Sequence, residues 1–137
     1  MEMRIRLSGG KKVTAEFGAF KIVTDQPVDG GGEGSAPAPF DLFLASVGTC
    51  AGFFVQSFCQ ARGIPTQNLG IVLRSDWDEV RHLTSKIRIE IELPKEFPEK
   101  YRQSLVSAVN QCTVKKHLQQ PPSIEVETHL SVDAIAG

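Results

Sequence analysis

Residues 86–93, "KIRIEIEL", alternate without a break: Ile87, Ile89, Ile91 and Leu93 fall on one side, Lys86, Arg88, Glu90 and Glu92 on the other. A period of two with one charged face predicts a half-buried antiparallel strand. Ile71, Leu73, Ser75 and Trp77 repeat the pattern just upstream, and residues 78–85 close the pair as a hairpin. The first 25 residues read as a strand meander. Met3 to Leu7 is followed by a turn at Gly9-Gly10, then by Val13, Ala15 and Phe17 in alternation. Gly18-Ala19 suits a two-residue type II′ turn, because Gly takes the φ > 0 position without steric cost. Phe20 to Thr24 returns as the third strand. Near the end, "SIEVETHLSV" (123–132) puts Ile124, Val126, Thr128, Leu130 and Val132 on one face and predicts a closing strand.

The period changes at "DLFLASVGTCAGFFVQSF" (41–58), which is apolar on almost every side and predicts a buried helix. Pro39 fits its first position, where a missing N–H costs nothing. Asp41 favours the positive helix end, and Gly63 and Pro65 stop the helix at about Arg62. Tyr101, Leu105, Ala108, Val109 and Cys112 follow helical spacing and predict a second helix from about Pro98 to Gln111. A short helical turn, "TVKKHL", follows. Between meander and first helix, "DQPVDGGGEGSAPAP" (25–39) holds four Gly and three Pro, which excludes regular structure and leaves a mobile lid or a plain connector. Strands and helices mix without βαβ alternation, so the expected class is α+β, with helices against antiparallel sheet in a single domain over 1–137.

Composition narrows the function classes. The 137 residues carry a formal net charge of −1, which argues against nucleic-acid binding. The apolar run Leu42–Val55 is 14 residues, short of the roughly 20 that cross a bilayer. The N-terminus, "MEMRIRLSGG", has no apolar signal region. Three cysteines without an export signal point to a reducing, cytoplasmic setting.

The cysteines are the candidate chemistry. On the first helix, Cys50 neighbours Phe43, Ser46, Val47, Phe53, Phe54 and Ser57 at helical spacing. It is either packing, as buried free cysteines commonly are, or a thiol held in an apolar site. Cys112 ends the apolar stripe of the second helix, and two helices meeting through such stripes could bring the sulfurs together. Cys59 is nine residues from Cys50, on the opposite side of its helix, and reads as structural. Spacings of 9 and 53, no C-x-x-C, and three scattered histidines (His82, His117, His129) make no metal site. Only His117 follows closely enough on Cys112 to sit near the thiols.

Three stretches together resemble the OsmC/Ohr family (osmotically inducible protein C and organic hydroperoxide resistance proteins). "APAPFDLFLASVGTC" is similar to the family's first cysteine motif, "AVNQCTVKKHL" to the second, and "SDWDEVRHLTSKIRIEIELP" to its middle hairpin, in the family's order over nearly the whole chain. The resemblance implies an intertwined homodimer, with antiparallel sheet wrapped around long buried central helices and two sites at the subunit interface. It implies a thiol peroxidase acting on organic hydroperoxides, with Cys50 peroxidatic and Cys112 resolving. No cofactor is needed, and re-reduction comes from a small thiol or a lipoyl-type dithiol. Phe43, Phe53 and Phe54 would then wall the substrate site. The family's best peroxidases carry a glutamate ten residues before the first cysteine, paired with an arginine that activates it. Here that position is Phe40. Asp41 lies on the far side of the helix from Cys50, and the glycine-rich loop has no arginine, leaving Arg4, Arg6, Arg81 or Arg102 as cation donors. The missing carboxylate supports the rival reading, a non-enzymatic relative that binds a hydrophobic or thiol-bearing small molecule in the same pocket.

Overall fold

The structure is a computed structural model, and it describes residues 1–130. Its elements follow the order read from the sequence: β1 (Arg4–Leu7), β2 (Val13–Phe17), β3 (Phe20–Thr24), α1 (Pro39–Gln60), β4 (Gly70–Asp78), β5 (Leu83–Glu92), α2 (Arg102–Val109) and α3 (Thr113–Gln119). The class is α+β. The antiparallel strands fall in two separate sheets, the meander β1-β2-β3 and the hairpin β4-β5.

The meander turns where glycine allows it. Gly18 has φ 55° between Phe17 and Phe20, which pair directly and bring their rings to 5.7 Å. In the hairpin, Ile71 pairs with Ile91, Leu73 with Ile89 and Ser75 with Ile87, giving one apolar face. The register shifts at Asp76/Trp77, and Trp77 is exposed rather than part of the covered face. The Asp78 carboxylate accepts the N–H groups of Val80 and Arg81 and fixes the turn.

Helix α1 packs against β4, α2 and α3. Its N-terminus is closed from one side only: Asp41 accepts the Ala38 N–H at 3.0 Å, while Ala38 has no side-chain acceptor to return the bond. The helix ends at Gln60 and the chain turns at Gly63, φ 65°. Arg62 lies over the Phe58 ring at 3.6 Å and donates to the Phe58 carbonyl. The core cluster joins Ala51, Val55, Phe58 and Cys59 of α1 to Phe97, Leu105 and Val109.

Three expectations are corrected. The second helix is not continuous from 98 to 111. A 3₁₀ turn, Glu99–Tyr101, precedes α2, and a turn at 110–111 separates α2 from α3. Helix α1 is not buried all round: Val47, Ala51 and Val55 are covered, but Phe40 and Phe53 are exposed, because the chain supplies sheet and helices to one side only. At 22 residues, α1 is also long and apolar enough, by length and composition alone, to cross a membrane; the apolar run counted in the sequence omitted its end turns. Finally, residues 121–130 form no strand, and Ile124, Val126 and Leu130 are exposed. Alternation reports a face that needs cover, but not which chain covers it. Val132 lies outside the described residues.

The 25–39 loop is ordered by one buried side chain. Asp25 accepts N–H groups from Gln26, Glu33 and Ser35, and the Ser35 hydroxyl. Gly32 is enclosed so tightly that a Cβ there would sit 2.0 Å from the Gln26 carbonyl oxygen. Lys12 bridges from the β1–β2 turn to Glu33 at 2.8 Å. The segment is thus a braced connector.

Candidate functional site at the Cys50 and Cys112 thiols

Cys50 is carried on the fourth turn of α1, half-buried. The α2 stripe continues past the helix end: Leu105 and Val109 are buried against α1, and Cys112 after them is 1% exposed. Cys112 leaves the α2 direction as the N-cap of α3, with φ −48° and ψ 124°. That turn sets its sulfur against Cys50 and swings the first amides of α3 toward both sulfurs.

The two thiols lie near enough to act on each other, and their acidities diverge. Burial alone would raise the Cys50 pKa, but contact with the Cys112 thiol and the backbone N–H groups of Val114 and Thr113 outweighs it, and the net shift is downward. Cys112 is shifted upward, first by burial and then by its contact with Cys50; the amides of Lys115 and Val114 act weakly the other way. The Cys112 side chain makes no full cap hydrogen bond, so these amides act at longer range. The arrangement favours a thiolate on Cys50 facing a protonated thiol on Cys112. All three cysteines are free.

The sequence pointed to a cation as the source of thiolate stabilisation, and the structure supplies backbone amides instead. Arg4, Arg6 and Arg102 pair at the surface with Glu2, Glu16 and Glu99. Arg81 sits in the β4–β5 turn. None of these four acts on Cys50. Thr113 and Val114 were missed because a backbone donor leaves no mark in residue type. The signal available was a helix start immediately after a cysteine. Phe40, where the glutamate would be, stacks on Phe43 at 5.2 Å.

An apolar cavity of about 280 Å³ adjoins Cys112. Its walls include Val47, Ile87, Ile89, Val106 and Leu118, with Asn110 and Lys115 as its polar groups. Phe43, Phe53 and Phe54, expected to wall the site, do not line this cavity. Phe53 and Phe54 meet edge to face at 5.3 Å, with Phe54 packed on the core and Phe53 turned outward. The helical neighbours of a residue share its side of the helix, but α1 gives this concavity only Val47, and β5, α2, α3 and the turn between them make the rest. His117 is exposed and its ring bonds to the Thr113 carbonyl, so it is occupied locally. Cys59 is fully buried in the core, where burial raises its pKa. Among the described residues no cluster of His, Cys, Asp or Glu could hold a metal ion.

Known structures share this architecture. A Psychrobacter arcticus protein assigned to osmotic stress induction and detoxification response superposes with a TM-score of 0.71 at 22% identity, covering 83% of this chain and 85% of that one. An OsmC like protein from Mycoplasma pneumoniae gives 0.70 at 16% identity, covering 88% and 87%. The organic hydroperoxide resistance protein OhrB of Bacillus subtilis gives 0.53 at 19% identity, covering 88% and 93%. At these identities the likeness establishes the fold. No curated protein sequence matches the chain significantly. The OsmC-like protein family model matches residues 32–127, a span that contains α1, the β4-β5 hairpin and both contacting cysteines, and the chain belongs to that family.

Proposed function

We propose that the chain is a cysteine-based peroxidase that reduces organic hydroperoxides. The observation that carries this reading is the asymmetry of the two neighbouring thiols. Cys50 is the more exposed and the more acidic; Cys112 is buried and held protonated. That is the division of labour the chemistry needs. The Cys50 thiolate attacks the O–O bond, which breaks to give Cys50 sulfenic acid and, after protonation, the alcohol. The Cys112 thiol then condenses with the sulfenic acid, releasing water and forming a disulfide before a second oxidation. A dithiol or two small thiols return both cysteines to the reduced state. Membership of a family whose solved relatives include organic hydroperoxide resistance proteins supports the reading.

The functional unit in this reading is a homodimer. A second copy would cover the outward side of α1 and the apolar residues of 121–130. The setting is cytoplasmic, where a reducing pool sustains turnover.

A second reading rests on Phe40 and the cavity. Without a carboxylate and arginine at the thiolate, the same pocket can serve as a binding site for a hydrophobic or thiol-bearing small molecule. One experiment separates the two: consumption of cumene hydroperoxide with a dithiol reductant, followed by intact mass. Catalytic consumption with a Cys50–Cys112 disulfide is the expected result. No consumption and no disulfide would leave the binding role.

A further inference from the structure

The charge in the 280 Å³ cavity is of one sign. Lys115 lines it and no carboxylate does. Lys115 is half-buried, and its ammonium donates at 2.5 Å to Asn110 Oδ1, a neutral acceptor. Elsewhere Arg4, Arg6, Lys12, Arg74, Arg88 and Arg102 each pair with a carboxylate. Among the described residues Lys115 has no such partner. A second cavity, of about 410 Å³, shares Ile89, Ile91 and Val106 with the first but holds Glu99 and Arg102, which pair at 3.2 Å. There the charges cancel. Here a positive charge is left over beside apolar walls, where water screens it less than at an open surface.

We propose that this cavity binds a medium-chain aliphatic carboxylate, with its head on Lys115 and Asn110 and its tail against the apolar walls. The proposal rests on the binding role raised above and names its ligand class; it holds whether or not the thiols turn over peroxide. An ammonium has three donors, and Lys115 spends one of them on Asn110. Because Asn110 accepts through Oδ1, its NH2 group is left to donate to the second carboxylate oxygen. Val106 and Leu118 line the cavity and are 46% and 47% exposed, so a tail laid along them removes apolar surface from water. Val47, Ile87 and Ile89 offer the same surface further along the lining.

Size and charge narrow the class. The volume is close to the lower end for small-ligand sites, which suits a chain of about eight carbons and not a long-chain acid. An alkylammonium would meet the charge of Lys115. A neutral alcohol would fill the walls but leave that charge unanswered. A phosphate would bring more acceptor oxygens and more charge than one ammonium and one amide can answer.

The test is calorimetric titration of the reduced full chain with sodium octanoate, octan-1-ol and octylammonium chloride. Octanoate should bind one to one, octanol about tenfold more weakly, equivalent to ~1.4 kcal/mol, and octylammonium not at all. Lys115→Gln should weaken octanoate by a similar factor and leave octanol unchanged, while Lys115→Arg keeps the cation and should retain binding. Val106→Trp fills the cavity from an exposed position that tolerates the larger ring, and should abolish binding of both. Circular dichroism checks that each variant is folded. If octanol binds as well as octanoate, or Lys115→Gln binds octanoate as wild type does, recognition of the carboxylate is overturned and the apolar binding role stands. If neither ligand binds, or both bind unchanged to folded Val106→Trp, the cavity is not the site, and the binding role at this pocket fails with the proposal. Binding alone is read, so peroxidase activity of the thiols bears on neither outcome.

Discussion

Cys50 and Cys112 shift each other's acidity in opposite directions, Cys50 downward and Cys112 upward. Each is part of the other's shift, so removing one should move the other. Iodoacetamide should alkylate Cys50 at neutral pH faster than Cys112 or Cys59, with a midpoint below the ordinary thiol value of about 8.5. In Cys112→Ala the Cys50 midpoint should rise, because the contact that favours the thiolate is gone. A midpoint that stays put would assign the shift to the Thr113 and Val114 amides alone. Alkylation rate against pH, read by peptide mass, is the measurement.

The three cysteines should separate cleanly by variant. Cys50→Ser should reduce turnover of cumene hydroperoxide to background while the fold persists, since little volume changes at a half-buried position. Cys112→Ser should still undergo the first oxidation, then progress to sulfinic acid for want of a resolving thiol. Cys59→Ala should keep activity and lose on the order of 1 kcal/mol of stability from a fully buried site. Intact mass after peroxide, with a dithiol-coupled assay, reads all three. Wild-type turnover in Cys50→Ser would sink the enzyme reading.

The pairing of α1 with the α2–α3 turn was readable from apolar spacing, because both stripes end on or centre on a cysteine and helices bury their stripes. The hairpin was readable from strict alternation in 86–93. What could not be read is anything carried by the main chain. The amides that face Cys50 belong to Thr113 and Val114, whose side chains say nothing of it. Gly48 and Gly52 illustrate the same limit. A glycine in a helix permits close approach without naming what approaches, and here both face side chains of β4, Leu73 and Ile71. Of the residues expected around Cys50 on its helix, Val47 lines the cavity while the aromatic ones do not; most of its wall comes from other elements.

Asp25 should give the fold an acid-sensitive step. Its hydrogen bonds to Ser35, Gln26 and Glu33 hold its pKa at about 2, against about 3.9 in an unfolded chain. A carboxylate with a depressed folded pKa stabilises fully above the unfolded value, and the contribution is lost as pH falls through the folded one. Thermal midpoints should therefore fall between about pH 4 and pH 2. Asp25→Asn should be less stable at neutral pH and flatter across that window. An equal slope in the variant would show that other carboxylates dominate.

Two glycine substitutions should have opposite signs. At Gly32 an added Cβ would lie 2.0 Å from the Gln26 oxygen and 2.8 Å from Asp25 Oδ1. Gly32→Ala has to break the braced loop, so a loss of roughly 2 kcal/mol or more is expected, within the range of serious local strain. At Gly48 the Cβ would meet Leu73 Cδ1 at 3.6 Å, ordinary contact. Gly48→Ala in mid-helix should gain about 0.5–1 kcal/mol. Urea unfolding of both variants settles the signs. A loss at Gly48 would mean that something outside this chain packs closely there.

Self-association is the expectation that the exposed apolar residues make most pointed. Leu130 is 99% exposed and Val126 is 93% exposed, on a segment whose alternation belongs to a covered strand. Isolated exposed apolar residues are ordinary, but a run of them in a chain whose sheets keep open edges is a pairing surface. Among the described residues, the meander and the β4-β5 hairpin both end in unpaired edges. Sedimentation at micromolar concentration should give twice the chain mass. Val126→Asp sharpens the test. In a monomer the substitution falls on solvent and should change nothing. If a second copy covers the strand, the charge enters an apolar interface, and the dimer should dissociate at concentrations where wild type stays paired. A monomeric wild type, or a Val126→Asp protein that dimerises as well as wild type, would remove this segment from the interface.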